Sequence, residues 1–577
     1  MKSFTYDLLP VNVKSNKSNK ITNDFLSNII QPPVLFNMTD PTIQHAKNPN
    51  CHPASKVCLL MGLLSAACML MLLLFFQYGK DQGIYSVVGR TIMEGGAPYK
   101  DAWDFKPPGI FFIYAFARLL FGAGQYAVRI LEVFNFLLLT SAFAIYSRRH
   151  FNSLWPGILA GCLAIINHIQ LGFWDTAQPE AFAATILAWA ILFSSYRSDN
   201  SITPSPRKQT LAWILSGIFF TAASLLKPPL GGGILVSMTI VVFIQVRLLS
   251  GKNKIKKSLA VVCSYGLGAI FLLALVFAYF VQKDALKDIY ETFFIFVPGY
   301  TSMEFSPQGF PILLYTAFKQ GILRFSIFTT TGMIIYFLLP KRSENEIEGF
   351  VHVIGVIFFQ IVGIAMQAKF FPYHYSALLP FTALLAVWGY TKLWEKIKLK
   401  WLLLLVFLIA VSWQMYQNNI FRHGTLQTKA LLNPDLRCKI NDTLYTVNDL
   451  NAYANRKTAE WLSQNTPEDS PIFIWGFEPV IYDMANRKSS SRYIYNIPQR
   501  AGWEKGTARR ALINELRDKP PSAIVVIHND PLPHVTGNQF DSAKELENFN
   551  KLSDFIAKDY AYVTSFEDLD IYLKKAL

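Results

Sequence analysis

The stretch Lys80–Gly109, KDQGIYSVVGRTIMEGGAPYKDAWDFKPPG, follows the first long apolar run and decides how the rest of the chain is read. It concentrates Asp81, Arg90, Asp101, Asp104 and Lys106 among tyrosines, a tryptophan, glycines and prolines. Such a segment is too polar to cross a bilayer and too aromatic for a plain linker. It is expected as a loop on a membrane face, where partly desolvated charges can carry chemistry.

The composition around it agrees. Of 577 residues, 52% are hydrophobic, 15% aromatic and only 16% charged. The apolar residues come in recurrent runs of about 18 or more, the length that crosses about 30 Å of hydrocarbon. The fold class expected is a polytopic α-helical membrane protein with about eleven transmembrane helices and a C-terminal soluble α/β domain. In such a chain the formal net charge of +15 is read by location. Lysines beside spans bind membrane lipids and set orientation, so the charge does not point to nucleic acid. The cysteines Cys51, Cys58, Cys68, Cys162, Cys263 and Cys438 have no metal-type spacing and imply no disulfide framework.

Residues 1–56 are rich in Asn, Ser and Lys and are expected as a cytoplasmic tail; the polar stretch ahead of the first span reads as belonging to an uncleaved anchor. Val57–Phe76 is the first span, and the lysines before it place Lys80–Gly109 outside. Ile110–Phe121, with Arg118 inside it, is too short to span and is expected as a helix on the outer surface. The basic clusters Arg148–His150, Arg197 with Arg207 and Lys208, Arg247 with Lys252–Lys257, Lys341 with Arg342, and Lys396–Lys400 then all fall on the cytoplasmic side. Counting Ile110–Phe121 as a span would invert each of them.

The organisation expected is a transmembrane domain over 57–416, with an outer loop at 77–126, and an extracytoplasmic α/β domain over 417–577. Within the latter, Pro471–Phe477 and Ser522–His528 read as buried strands, and Tyr453–Gln464, Thr507–Asp518 and Ser542–Ala557 as amphipathic helices. His528 and Asp530 sit in Asn-Asp-Pro turn chemistry that ends a strand.

The positive-inside rule disfavours basic residues on the outer side, yet Arg90, Lys106, Arg129, Lys227, Lys369 and His374 fall there. Any one of them fits snorkelling or a local pair. Together they suggest a pocket for an anion at the membrane surface, such as a phosphate carried on a lipid. The carboxylates on that face are Asp81, Asp101, Asp104, Asp175 and Glu180. Asp81 suits a general base in a partly desolvated place, or a cap for a helix beginning near Gln82. Glu180, after Pro179, suits either an acid of the site or a helix start favoured by the dipole. Asp104 can orient Lys106 or close a turn.

The order of these motifs is informative. An acid just past the first span is followed by a Gly-rich segment and D-x-W-D-x-K-P-P-G (Asp101–Gly109) with Tyr114 beyond. Then come a surface helix ending in Phe121-Gly122, Arg129, QPEAF (Gln178–Phe182), LLKPP (Leu225–Pro229) and QAKFFPYHY (Gln367–Tyr375). This pattern, over roughly Val57–Met415, resembles the GT-C glycosyltransferases, and among them the bacterial relatives of the protein O-mannosyltransferases and of the aminoarabinose transferase.

The resemblance implies inverting transfer of a hexosyl or pentosyl group from a polyprenyl-phosphate donor to a glycan, lipid or protein acceptor, on the outer face of a bacterial inner membrane. It implies Asp81 as base or acceptor-orienting group and Glu180 or Asp175 as the second-loop acid. Lys106 would hold the donor phosphate with Lys227, Lys369, His374 and Arg90. Asp101, Asp104 and Asp175 with Tyr85, Tyr99, Trp103 and Tyr114 would orient substrate, although interface belts place the same aromatics at that depth. No cofactor is implied and no metal site has ligand spacing, with lysines supplying the neutralising charge; a divalent cation stays open. Two positions depart from the pattern: Gln82 follows Asp81 where an Asp-Glu pair is common, and Phe105 stands before Lys106 where an acid occurs in the aminoarabinose enzymes; the latter weakens that substrate and a metal there. The alternative, a transporter or lipid flippase, calls for repeats and mid-membrane charges that the spans do not carry.

Overall fold

The computed structural model describes residues 53–196, 206–248, 253–305, 309–321, 327–339, 343–418 and 420–575. The tail over 1–52, Cys51, Arg197, Lys252, Lys341, Arg342 and the first residues of the span expected from Ile322 lie outside the described residues.

A helix occupies each expected span, because each is an unbroken apolar run with Pro, Gly or charge at its ends. Among the described residues six are long and apolar enough to cross a membrane: Gln125–Phe151, Pro206–Leu226, Pro228–Arg247, Asn253–Gln282, Glu344–Gln367 and Lys400–Gln417. Shorter apolar helices include Trp155–Ile169, Pro179–Ser194 and Ile327–Leu338. Large apolar side chains stand exposed along the outward faces, among them Phe243, Ile270, Phe277 and Trp413. A continuous greasy surface of that kind calls for lipid rather than water.

Gly109–Phe121 is a 13-residue helix, about 20 Å long. It buries Ile110, Phe111 and Tyr114 against its neighbours and leaves Phe116, Leu119 and Leu120 exposed. The basic end of the bundle is tied together separately, with Tyr146 donating to the Gly349 carbonyl (2.9 Å) and Lys392 pairing with Glu346 (2.5 Å). Several segments expected outside meet one another: Asp81 meets Lys106 and Gln178, Lys227 meets Glu180, and Lys369 meets Tyr300. The long stretch expected as an outer segment, Gln282–Gln320, is itself helical over Leu286–Tyr290, Val297–Phe305 and Gly309–Lys319, with a π-helical turn at Glu291–Phe296.

After Ile420 the chain builds a four-stranded sheet in the order β1-β2-β4-β3. The strands β1 (Ile472–Trp475) and β2 (Ala523–Ile527) are parallel and fully buried, as their continuous apolar runs require. The antiparallel pair β3 (Tyr560–Phe566) and β4 (Leu569–Lys574) was not expected, since β3 is largely exposed and has no strong apolar alternation. The single helix expected over Ser542–Ala557 is two, Ser542–Glu547 and Asn550–Asp559. Phe549 breaks it by turning into the core, its ring 5.8 Å from that of Trp475. Residues Cys58–Leu577 form one compact unit, so this sheet-bearing segment packs directly on the outer loops.

Candidate functional site

The helix Lys80–Met93 begins at the N-cap Gly79, two residues ahead of Asp81. Gln82 accepts the Gly79 N–H (3.0 Å) and donates to the carbonyls of Trp174 (2.8 Å) and Thr176 (2.6 Å), so the capping role considered for Asp81 belongs to Gln82. Asp81 faces elsewhere. Its Oδ1 lies 3.0 Å from Lys106 Nζ, and its Oδ2 accepts from Gln178 Nε2 at 3.3 Å. Two glycines let this helix sit flush between neighbours: a Cβ on Gly83 would meet Val480 N at 2.9 Å, and one on Gly89 would meet Ala115 N at 2.9 Å.

Lys106 is held by its own loop. Tyr99 donates to its carbonyl (2.8 Å), its N–H reaches Asp104 Oδ2 (3.4 Å), and its ammonium lies 5.1 Å from the Tyr85 ring centroid. Asp104 thus closes the turn, while its other oxygen accepts a 2.6 Å hydrogen bond from Tyr495. Burial pushes the Asp104 carboxyl above the usual range, with Lys106 opposing. Burial also works against the Lys106 charge, but Asp81 and Asp104 outweigh it and keep its pKa above the ordinary lysine value.

The second outer loop and two later turns complete the cluster. Glu180 is buried and pairs through Oε1 with Lys227, while its Oε2 has no hydrogen-bond partner among the described residues. Burial lowers the Lys227 pKa against the pull of Glu180. Burial, with Asp81 and Glu180 nearby, pushes the Asp175 carboxyl up to about 7. Lys369 stacks 3.3 Å from the Tyr300 ring centroid. The carbonyl of Lys369 lies 2.6 Å from His374 Nδ1, and burial beside Lys227 keeps that imidazole well below its usual pKa, hence neutral at pH 7. Three non-glycine residues here hold positive φ: Tyr99 (70°), Ala177 (53°) and Ala368 (53°). Left-handed backbone is costly for such residues and is characteristic of functional loops.

The structure therefore brings together Asp81, Asp104, Lys106, Asp175, Glu180, Lys227, Lys369, His374 and Tyr85. It does not bring Arg90 or Asp101 to them. Arg90 Nε pairs with Glu94 (2.9 Å) at the far end of the helix, and Asp101 accepts the Ala97 N–H (2.7 Å). Tyr85, Tyr99 and Tyr114 are buried, and their hydroxyls tie loops: to Gln178 Oε1 (2.9 Å), the Lys106 carbonyl and the Ala177 carbonyl (3.1 Å). Trp103 packs on Phe296 and Tyr495.

Arg129, expected among the outer bases, is instead fully buried. It pairs with Glu132 (3.0 Å), which in turn meets His168 (2.8 Å), and it donates to the carbonyls of Phe76, Gln77 and Phe173. It is a strut that joins the first and second loops, since a buried charge persists only when paired and hydrogen-bonded.

Residues that sequence reasoning left off the candidate site are Gln178, Tyr373, Tyr300 and Tyr495. The first two lie within motifs already singled out. Tyr495 carries no local signal, because it reaches Asp104 from 391 residues away. Lys80 is likewise pinned from afar, by Asp449 (2.6 Å) and Glu478 (3.3 Å). Among the described residues no group of three or more His, Cys, Asp or Glu is arranged to hold a metal ion. The arrangement offers a carboxylate beside a row of ammonium groups, able to take a proton and to face a phosphate.

No protein-family profile and no curated protein sequence matches this chain. Among solved structures it is similar to ArnT from Cupriavidus metallidurans bound to undecaprenyl phosphate, with a TM-score of 0.54 and 12% identity over 90% of this chain and 99% of that one. The same protein in the apo state gives a TM-score of 0.52 at 12% identity, over 90% and 98% of the two chains. The archaeal oligosaccharyltransferase AglB from Archaeoglobus fulgidus, in complex with an inhibitory peptide and a dolichol-phosphate, gives a TM-score of 0.42 at 11% identity, over 82% and 69%. At 12% identity the likeness to ArnT is one of fold alone: a largely helical body with several apolar helices, joined to a small C-terminal sheet.

Proposed function

We propose that this protein is a membrane glycosyltransferase that moves a sugar from a polyprenyl-phosphate donor to an acceptor at the extracytoplasmic face by a single inverting displacement. The observation that carries the reading is the Asp81–Lys106 pair, 3.0 Å apart, with Glu180, Lys227 and Asp175 in the same electrostatic neighbourhood. The fold shared with ArnT, solved with undecaprenyl phosphate, supports the class of donor.

In this mechanism the donor phosphate takes the place of Asp81 beside Lys106, which frees the carboxylate. Asp81 accepts the proton of the acceptor hydroxyl as that oxygen attacks the anomeric carbon. The bond from that carbon to the phosphate oxygen breaks on the opposite face, and the electron pair leaves with the lipid phosphate, stabilised by Lys106 and Lys227. Lys369 and the neutral His374 line the phosphate side, and Asp175, poised near neutrality, can relay the proton outward.

In the same reading the N-terminus is cytoplasmic, 57–416 is the transmembrane domain with outer loop 77–126, and 417–577 faces the periplasm or exterior of a bacterial inner membrane. Asp81→Asn in proteoliposomes supplied with an undecaprenyl-phosphate sugar tests it. Transfer is expected to fall by about 10²–10⁴. Wild-type turnover in folded protein removes Asp81 from the chemistry, and solute uptake with no covalent product favours transport instead.

A further inference from the structure

A cavity of about 580 Å³ opens at the far end of helix Lys80–Met93, away from the Asp81 cluster, between that helix and the sheet-bearing segment. Arg90, Thr91 and Glu94 line the helix side, and the consecutive serines Ser489–Ser491 line the other. Six lining side chains are cationic and four are carboxylates. A site for a simple anion or cation would be lined by one sign. Interleaved donors, acceptors and hydroxyls suit a ligand whose every group both donates and accepts, namely a polyol.

Two groups there have no hydrogen-bond partner among the described residues. Ser490 is 4% exposed and its Oγ makes no hydrogen bond, and Arg90 uses Nε on Glu94 but has no partner for Nη1. A buried donor left unmade is costly unless a ligand or water completes it.

The cavity is coupled to the candidate reaction site by one segment, Arg492–Tyr495, whose successive side chains go to the two sites in turn. Arg492 and Ile494 line the cavity, whereas Tyr493 packs on Trp103 and Tyr495 bonds Asp104. The Trp103 N–H also donates to the Arg492 carbonyl at 2.7 Å. From Asp81 to Arg90 the helix rises about 13 Å, a span that an oligosaccharide can bridge and a single sugar cannot.

We infer that this cavity binds the distal sugars of a neutral glycan acceptor whose terminal hydroxyl is presented at Asp81. The word acceptor rests on the proposed transfer; the binding does not. The test is calorimetric titration of the full-length protein in detergent micelles with maltotriose, mannotriose and trigalacturonate. A neutral trisaccharide is expected to bind, and Ser490→Val and Arg90→Gln each to weaken it about tenfold at an unchanged unfolding midpoint. Asp81→Asn is expected to weaken binding less than either cavity substitution. No binding by either neutral sugar, binding of trigalacturonate alone, or affinities indifferent to both cavity substitutions would overturn the inference. Intact trisaccharide binding in a protein that proves unable to transfer sugar sinks the catalytic reading and leaves the cavity assignment standing.

Discussion

Lys106→Met keeps the length and apolar stem of the side chain and removes only the ammonium. That ammonium lies 3.0 Å from Asp81, with the two side chains 15% and 17% exposed. At that separation unit charges attract by about 5 kcal/mol at an effective dielectric of about 20. Most of this offsets the cost of taking both charges out of water, and breaking such a pair one-sidedly costs about 3–5 kcal/mol. Asp81 would then share its pocket with Asp104 without the cation that opposes both. In the proposed reaction the same ammonium faces the departing phosphate, and loss of one such stabilising group costs about 10²–10³ in kcat.

The assay is release of undecaprenyl phosphate from an undecaprenyl-phosphate sugar in proteoliposomes, run beside thermal unfolding. Lys106→Met should lower both turnover and unfolding midpoint. Lys106→Arg should recover the midpoint more fully than the rate, because a planar fork does not reproduce a point charge. Turnover within threefold of wild type in Lys106→Met, with an unchanged midpoint, would refute the reasoning.

Tyr495→Phe removes the 2.6 Å hydrogen bond to the buried Asp104, a loss of about 1–3 kcal/mol. That bond opposes the burial that raises the Asp104 pKa, so the acid limb of the pH–rate profile should move to higher pH; an unmoved limb excludes a positioning role. Asp175 is raised by burial from 3.8 to about 7, so the protonated form contributes stability that is full below about 4 and lost as pH rises through about 7. Asp175→Asn should therefore raise the unfolding midpoint by a few degrees at pH 8 and not at pH 3.5, and equal shifts at both pH values would contradict the assignment.

Run length and charge placement were enough to locate the apolar helices, including the short one at Ile110–Phe121, and to find the parallel strands β1 and β2. These features answer to local costs: a backbone in hydrocarbon must be helical, and each charge beside a span has a preferred side. Asp81, Lys106, Glu180 and Lys227 were legible as candidates for the same reason, being charges at the wrong depth or in motifs whose order has few parallels. What the tertiary structure alone decided is who pairs with whom. It placed Lys106 on Asp81 across 25 residues and Tyr495 on Asp104 across 391, and it buried Arg129 in a local pair with Glu132, one of the readings the sequence left open. It also took Arg90 away from the Asp81–Lys106 cluster and into the lining of the cavity beside Ser489–Ser491, and split the helix over Ser542–Ala557 at Phe549. A side chain's desolvation can be read from its neighbours in sequence, whereas the partner that compensates it comes from packing between segments whose separation in the chain carries no periodicity to read.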